Sequence, residues 1–274
     1  MVDPMDKILQ SLKVHPGTKA KLAVRDPGDT LGIKGKTAAQ TRTDRIISEL
    51  PALQRRLYAE GRQALLILLQ GMDASGKDGT IRNVMSVLNP QGCHVMSFKP
   101  PTTEEQSHDF LWRVHRGVPA KGEIGIFNRS HYEDVLIVRV RGLVPKAVWS
   151  KRFRQINDFE RLLSESGVRI LKFFLHLSPE EQKVRLQERL DDPEKQWKVD
   201  PADAKEREYW KPYQAAYEAA LTECSTPWAP WYVIPSDRKW IRNLTVASLI
   251  RKTLEEMDPR YPKAAHDLSS IRIP

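Results

Sequence analysis

The stretch Ala64-Leu-Leu-Ile-Leu-Leu-Gln70-Gly71-Met-Asp73-Ala-Ser75-Gly76-Lys77-Asp78-Gly79-Thr80 sets a continuous apolar run directly against a glycine-rich turn. A run this short, bounded by Gly61 and Gly71, reads as a strand buried on both faces, as in a parallel sheet. Similar runs recur at Cys93–Phe98, Gly122–Asn128, Val168–Leu177 and Trp231–Pro235. Helical patterns lie between them, at about 77–88, 104–117, 145–165 and 239–257. The alternation predicts an α/β fold, with a parallel sheet flanked by helices.

The turn after the first run matches the G-x4-G-K core of a phosphate-binding loop. Gly71 and Gly76 allow backbone conformations that turn successive N–H groups inward. Ser75, Gly76, Lys77, Asp78, Gly79 and Thr80 then form the loop end and the first helical turn, whose positive end faces the same place. Lys77 is placed to bridge phosphate oxygens. The Ser or Thr that usually follows this lysine and ligates Mg²⁺ is replaced by Asp78, and the nearest hydroxyl is on Thr80. Asp73 lies inside the loop, where a carboxylate is repelled by phosphate unless a cation stands between them. Asp73 is therefore a candidate Mg²⁺ ligand. The alternative is that Asp73 and Asp78 merely cap the loop and the helix, a reading that suits Asp78 better than Asp73.

The third apolar run leads into Phe127-Asn128-Arg129-Ser-His131-Tyr132-Glu133-Asp134. Ligands of open parallel sheets bind beyond the carboxyl ends of the strands, so Asn128, Arg129, Glu133 and Asp134 fall beside the phosphate loop. An oxygen ligand for Mg²⁺ and a guanidinium for a transferring phosphate are what phosphoryl transfer needs there. Glu133 and Asp134 as caps of the next helix fit the residues equally well.

Three segments in order, Gly71–Thr80, Phe127–Asp134 and Asp192-Pro-Glu-Lys-Gln-Trp-Lys198, resemble the three signatures of the second polyphosphate kinase family. The resemblance runs from about Asp44 to Pro262 and takes in Ala229-Pro-Trp-Tyr-Val-Ile-Pro235. It implies a P-loop kinase core like that of thymidylate kinase, with an inserted helical lid. It also implies reversible transfer of phosphoryl groups from polyphosphate to nucleotides. Asp73 and Lys77 match the family's loop acid and lysine, and Arg129 matches its arginine after the third strand. Many members carry Asp where this chain has Asn128, and Trp-Tyr-Asn-Arg where it has His131-Tyr-Glu-Asp134. That departure is shared with the branch acting on both AMP and ADP. Catalytic roles are accordingly expected for Lys77, Arg129, Asp73 and Arg189, and nucleotide or phosphate contacts for the loop residues, Asn128 and Lys198. Of the two following acids, Asp134 is preferred as second metal ligand, with Glu133 next. Adenine nucleotides, inorganic polyphosphate and Mg²⁺ are the expected partners, with a homo-oligomer as the expected assembly.

The charged, helical interval 178–226 sits between two strands and is the expected lid. Arg185 and Arg189 are four apart there and share a helix face. From Val135 to Asn157 six basic residues occur without an acid, among them Arg139, Arg141, Lys151, Arg152 and Arg154, and these could line a groove for a linear polyanion. Residues 1–43, rich in Pro and Gly, read as an extended arm, and 263–274 as a tail. Asp44 is placed to cap the helix that follows, and Pro51 predicts a kink or break within it.

Net charge is +9, from 44 Lys and Arg against 35 Asp and Glu, which favours polyanionic partners. Two cysteines, Cys93 and Cys224, do not make a disulfide framework and suit a reducing compartment. No run approaches the roughly 20 apolar residues of a membrane span, and a cytoplasmic protein is expected. Competing readings are an ATP-dependent nucleoside monophosphate kinase on the same core and a nucleic-acid-binding P-loop ATPase. The second lacks any helix-turn-helix, zinc or RNA-binding signature.

Overall fold

The fold is taken from a computed structural model that describes residues 4–266 together with 272 and 273. The parts of the expected arm and tail at 1–3, 267–271 and 274 lie outside the described residues. Five strands, β1 (Ala64–Gln70), β2 (Cys93–Ser97), β3 (Ile124–Asn128), β4 (Val168–His176) and β5 (Trp231–Pro235), form one sheet in the order β2-β3-β1-β4-β5. Every neighbouring pair is parallel. The helices are α1 (Pro4–Leu12), α2 (Lys36–Glu60), α3 (Lys77–Thr80), α4 (Thr103–Gln106), α5 (Trp112–His115), α6 (Ile137–Val140), α7 (Lys146–Glu165), α8 (Pro179–Asp191), α9 (Pro201–Glu206), α10 (Trp210–Glu223) and α11 (Lys239–Met257).

β1 is central and all seven of its residues are buried, which accounts for its unbroken apolar run. Leu65, Ile67 and Leu69 point to one face, where α1, α2 and α11 pack. Leu66 and Leu68 point to the other, where α7 and α10 pack. The chain passes from β1 outward to β2, returns to β3, and then crosses to β4. The strand order thus reverses around β1, and the C-terminal ends of β1, β3 and β4 surround the crevice where α/β sheets bind ligands.

Several local expectations change. α2 starts at Lys36 behind Gly35, whose φ of 89° suits glycine, and Asp44 lies inside the helix, where it accepts from Gln40. Pro51 does not break α2: it removes one backbone donor, but buried Ile47, Leu50 and Leu57 hold both halves against the sheet. Gly61 ends the helix in a left-handed conformation, donating to the carbonyl of Leu57. The expected helix at 104–117 divides into α4 and α5, because the Asp109 carboxylate accepts from the Leu111 N–H and competes with helical pairing. The one at 77–88 is α3 followed by a wide π turn over Ile81–Met85.

The N-terminal arm is part of the fold, not an extended strap. Met5, Leu9 and Leu12 of α1 are buried in the core on the α11 side. Val14 then donates its N–H to the carbonyl of Trp231, and Ser225 donates to the carbonyl of Val14, closing the edge of the sheet beside β5. Further on, Glu218 of α10 accepts from the N–H of Leu22, and His176 at the end of β4 contacts the carbonyl of Arg25. Leu9→Ala should therefore cost about 2–5 kcal/mol of unfolding free energy, the range of buried leucines. Denaturant unfolding checks this. A loss under about 0.5 kcal/mol, as for a surface site, would mean that the arm is only draped on the domain.

Candidate active site

The loop between β1 and α3 reverses direction through residues that a side chain rarely tolerates. Gly71 has φ of 155°, and a Cβ there would lie 2.7 Å from Ser75 Oγ and 2.8 Å from the carbonyl of Leu175. Gly76, with φ of 102°, caps α3. Ala74 and Arg129 also sit at positive φ, 61° and 62°, a strain that non-glycine residues hold only where surroundings enforce it. Lys77 folds back across the loop and donates to the carbonyls of Gly71 (2.8 Å) and Met72 (3.3 Å). Burial, joined by the like charge of Arg129, lowers its pKa to about 8, against the opposing pull of Asp73, Glu133 and Asp78.

Two polar chains join the three sequence motifs over this loop. In the first, Arg129 Nη2 donates to Asp73 Oδ1 at 2.6 Å, and Arg129 Nη1 stands 3.6 Å from Glu133 Oε2. Burial works against the guanidinium charge, but Glu133 and Asp73 outweigh it and hold the group above its ordinary pKa. In the second, Asn128 donates to Asp78 Oδ1 at 2.8 Å, and Lys198 lies 3.5 Å from Asp78 Oδ2. Partial burial would raise the Asp78 pKa, but the Asn128 amide, Lys198 and Lys77 keep it below the usual carboxylate value. Lys198 also lies over the ring of Trp197.

Glu133 and Asp134, adjacent in sequence, part ways. They lie on a 3₁₀ turn over His131–Val135, and only Glu133 joins Asp73 at Arg129. Gln70, with its amide oxygen toward Ser130, donates to Glu133 Oε1 at 3.1 Å. Asp134 is taken by Arg152 of α7, at 3.0 Å, and burial raises its pKa to about 6. Asp134, expected as second metal ligand, is thus turned away from Asp73, and Glu133 is the acid that stands beside it. A 3₁₀ turn advances about 120° per residue, so neighbours cannot face the same way. Among the described residues no group of three or more Asp, Glu, His or Cys side chains forms a metal cage. Asp73 and Glu133 converging on one guanidinium nevertheless fit Mg²⁺, which takes one or two carboxylates beside substrate phosphates and water.

Thr80 is not aimed at phosphate, because its buried hydroxyl donates to the carbonyl of Gly76. Arg185 lies under the loop. It donates to the carbonyls of Ala74 (3.0 Å) and Ser75 (3.3 Å) and to those of Ser236 (2.6 Å) and Asp237 (3.0 Å) after β5. Arg189 lies half-buried one turn further along α8. The basic stretch is no uniform groove lining. Arg139 lies over the ring of Trp149, Arg141 is paired with Glu206, and Arg152 holds Asp134. The stretch lacks acids of its own, but Glu206 and Asp134 outside it supply carboxylates to Arg141 and Arg152.

Two further features surround the site, and the second escaped the sequence reading of function. Arg242 of α11 is buried against Gly76 and Gly79 without a carboxylate partner among the described residues, and burial together with Arg185 lowers its pKa to about 9. Below the 3₁₀ turn, Glu160, Lys172, His131 and Tyr132 form a closed polar cluster. A signal for the cluster existed: Glu160 falls on the buried stripe Ile156, Phe159, Leu163 of α7, and Lys172 interrupts an apolar strand.

The family model for polyphosphate kinase 2 matches residues 34–262. The chain is 52% identical over 256 residues to the AMP/ADP-polyphosphate phosphotransferase of Meiothermus ruber, covering 93% of this chain and 96% of that protein. It is 48% identical over 229 residues to the ADP-polyphosphate phosphotransferase of Rhodopseudomonas palustris, with 79% of each covered. The crystal structure of polyphosphate kinase 2 from Arthrobacter aurescens TC1 superposes with a TM-score of 0.92 at 42% identity, over 96% of this chain and 94% of that one.

The lowered pKa of Lys77 has a measurable consequence. The unfolded chain binds more protons than the folded one between pH 8 and 10.5, so this group makes folding stability rise across that window. Anion binding favours the ammonium, so above about pH 8 binding takes up a proton. Affinity for inorganic tripolyphosphate should be level below pH 8 and fall above it, approaching about tenfold per pH unit. Calorimetric titration of wild type and Lys77→Met checks this. A slope that survives in Lys77→Met would assign the titration to another group.

Proposed function

The chain belongs to the polyphosphate kinase 2 family, and on that ground we propose that it transfers phosphoryl groups between inorganic polyphosphate and the adenine nucleotides AMP and ADP. The observation that carries this reading is the joining of Asp73, Arg129 and Glu133 directly over a phosphate loop whose lysine is already turned inward. An oxygen of the acceptor's terminal phosphate attacks the end phosphorus of polyphosphate. A P–O bond forms, the terminal anhydride P–O bond breaks, and the chain leaves one phosphate shorter. Polyphosphate lies along the loop, held by the backbone N–H groups at the start of α3 and by Lys77. Arg129 turns its guanidinium toward the transferring group, where charge builds in the transition state.

Mg²⁺, when bound, neutralises phosphate oxygens at this place, and Asp73 with Glu133 would hold it. Asn128 and Lys198 set the position of Asp78 at the mouth of the loop, and Arg189 supplies a further cation from α8. Of the expected lid at 178–226, α10 packs in the core, and the stretch from α8 to α9, which carries Arg189 and Lys198, is the proposed lid. AMP and ADP are the proposed acceptors because the His131-Tyr-Glu-Asp134 segment resembles the branch that uses both, and because the Meiothermus ruber relative bears both in its name. Assembly as a homo-oligomer belongs to the same proposal. Among the described residues no helix is long and apolar enough to cross a membrane.

AMP with excess polyphosphate and Mg²⁺ should give transient ADP and then ATP, followed by chromatography. Accumulation of ADP alone, with added ADP inert, would restrict the acceptor to monophosphates. Transfer from ATP to AMP, with polyphosphate inert as donor, would overturn the donor assignment. Lys77→Ala should lower turnover by about 10²-fold or more, because a preorganised charge inside the loop is lost. Near wild-type turnover in the folded variant would remove Lys77 from the mechanism.

A further inference from the structure

We propose that Glu160, a buried carboxylate on α7, is a positioning residue for phosphoryl transfer that holds the Arg129–Glu133 turn in register with the phosphate loop from beneath. The inference rests on the roles given above to Arg129 and Glu133. Glu160 has no exposed surface and touches no phosphate-facing group. Its Oε1 accepts from Tyr132 Oη (2.8 Å) and faces His131 Nε2 (3.2 Å), and its Oε2 accepts from Lys172 Nζ (2.6 Å). His131 and Tyr132 are two of the three residues between Arg129 and Glu133. The third, Ser130, is held by Gln70 from β1 and accepts from the N–H of Tyr132. Each residue between the two working side chains is therefore tied downward, and Arg129 and Glu133 are left to face the loop.

The turn needs that support. It is a 3₁₀ segment with poor hydrogen-bond geometry, and it follows Arg129 at positive φ. His131 Nδ1 is buried without a hydrogen-bond partner among the described residues, but at its centre the cluster is complete. The three N–H donors of the Lys172 ammonium have three acceptors: Glu160 Oε2, Tyr132 Oη (2.8 Å) and the carbonyl of Cys224 (2.7 Å). Burial alone would raise the Glu160 pKa, but Lys172 and His131 keep it below its ordinary value, so the carboxylate is charged. Burial lowers the pKa of His131, which then donates to Glu160 as a neutral ring through Nε2–H. A buried ion pair is a weak source of stability, and apolar residues of similar volume serve a core as well or better. What apolar residues cannot do is orient Tyr132 and His131. A displacement of about 1 Å in catalytic groups lowers rate by about 10²-fold, which gives the cluster a functional consequence.

The test removes the orientation while leaving the core filled. In Glu160→Leu with Lys172→Met both charges go together, so neither is stranded. The double variant should melt within a few degrees of wild type, while kcat with ADP and polyphosphate falls by about 10–100-fold. Its KM for polyphosphate should stay within about threefold, because the phosphate loop is intact. Tyr132→Phe deletes a single hydroxyl and should lower kcat by at least about fivefold without unfolding, which keeps the test decisive if the double variant does not fold. A folded double variant or Tyr132→Phe with kcat within about twofold of wild type would overturn the proposal. So would kcat losses that merely follow the fraction of folded protein. Arg129→Ala is run alongside: if it alone retains full turnover, the roles given to the site fail, and if only the Glu160 and Tyr132 variants do, the positioning role fails.

Discussion

Arg129 must satisfy two carboxylates that come from different parts of the chain. Asp73 belongs to the loop after β1, Glu133 to the turn after β3, and a single guanidinium reaches both. A half-buried cation of this kind is costly without partners, and either acid beside bound phosphate is costly without a cation. The pairing therefore locks two loops together and sets the charge pattern of the crevice. It also explains the chemistry of Lys77: part of its lowered pKa comes from Arg129, and part of what keeps it protonated comes from the same two acids. The site holds its charges against one another, so an incoming anion can exchange partners without meeting an unpaired charge.

The phosphate loop is held from below as well as from above. Arg185 fastens two of its carbonyls to the segment after β5, and Arg242 presses on Gly76 and Gly79 from α11. Neither guanidinium needs a phosphate to keep its place. A preorganised loop is what electrostatic catalysis requires, because stabilisation that must be rearranged during reaction is lost. On the other side of the crevice the Glu160–Lys172 cluster does for the β3 turn what the two arginines do for the loop. The N-terminal arm then closes the β5 edge, tying Trp231, His176 and α10 to a segment that composition alone would leave outside the domain.

Much of this was legible in the sequence. The five strands came from short apolar runs bounded by glycine or charge; β1 leaves the clearest mark because every residue along it is in the core, while the edge strand β2 is only partly buried. The phosphate loop was legible because the bend demands glycine at fixed positions and the anion demands lysine at the helix start. Motif order brought Asp78, Asn128 and Lys198 into one reading, and they meet in the structure.

What only the tertiary structure decided was direction and partner. Glu133 and Asp134 are equivalent in sequence, but a tight turn sends one to Arg129 and the other to Arg152. The basic stretch looked unpaired because the acids that meet it, Glu206 and Asp134, lie outside it. Pro51 looked like a break, and Asp44 like a cap, because local propensity is weaker than the burial of a helix face against a sheet. Local chemistry, set by which atoms a short segment must place, determined the loop, the strands and the residue types of the site. The choice among equivalent charges belonged to long-range packing, because a charge takes the partner that the fold brings within reach.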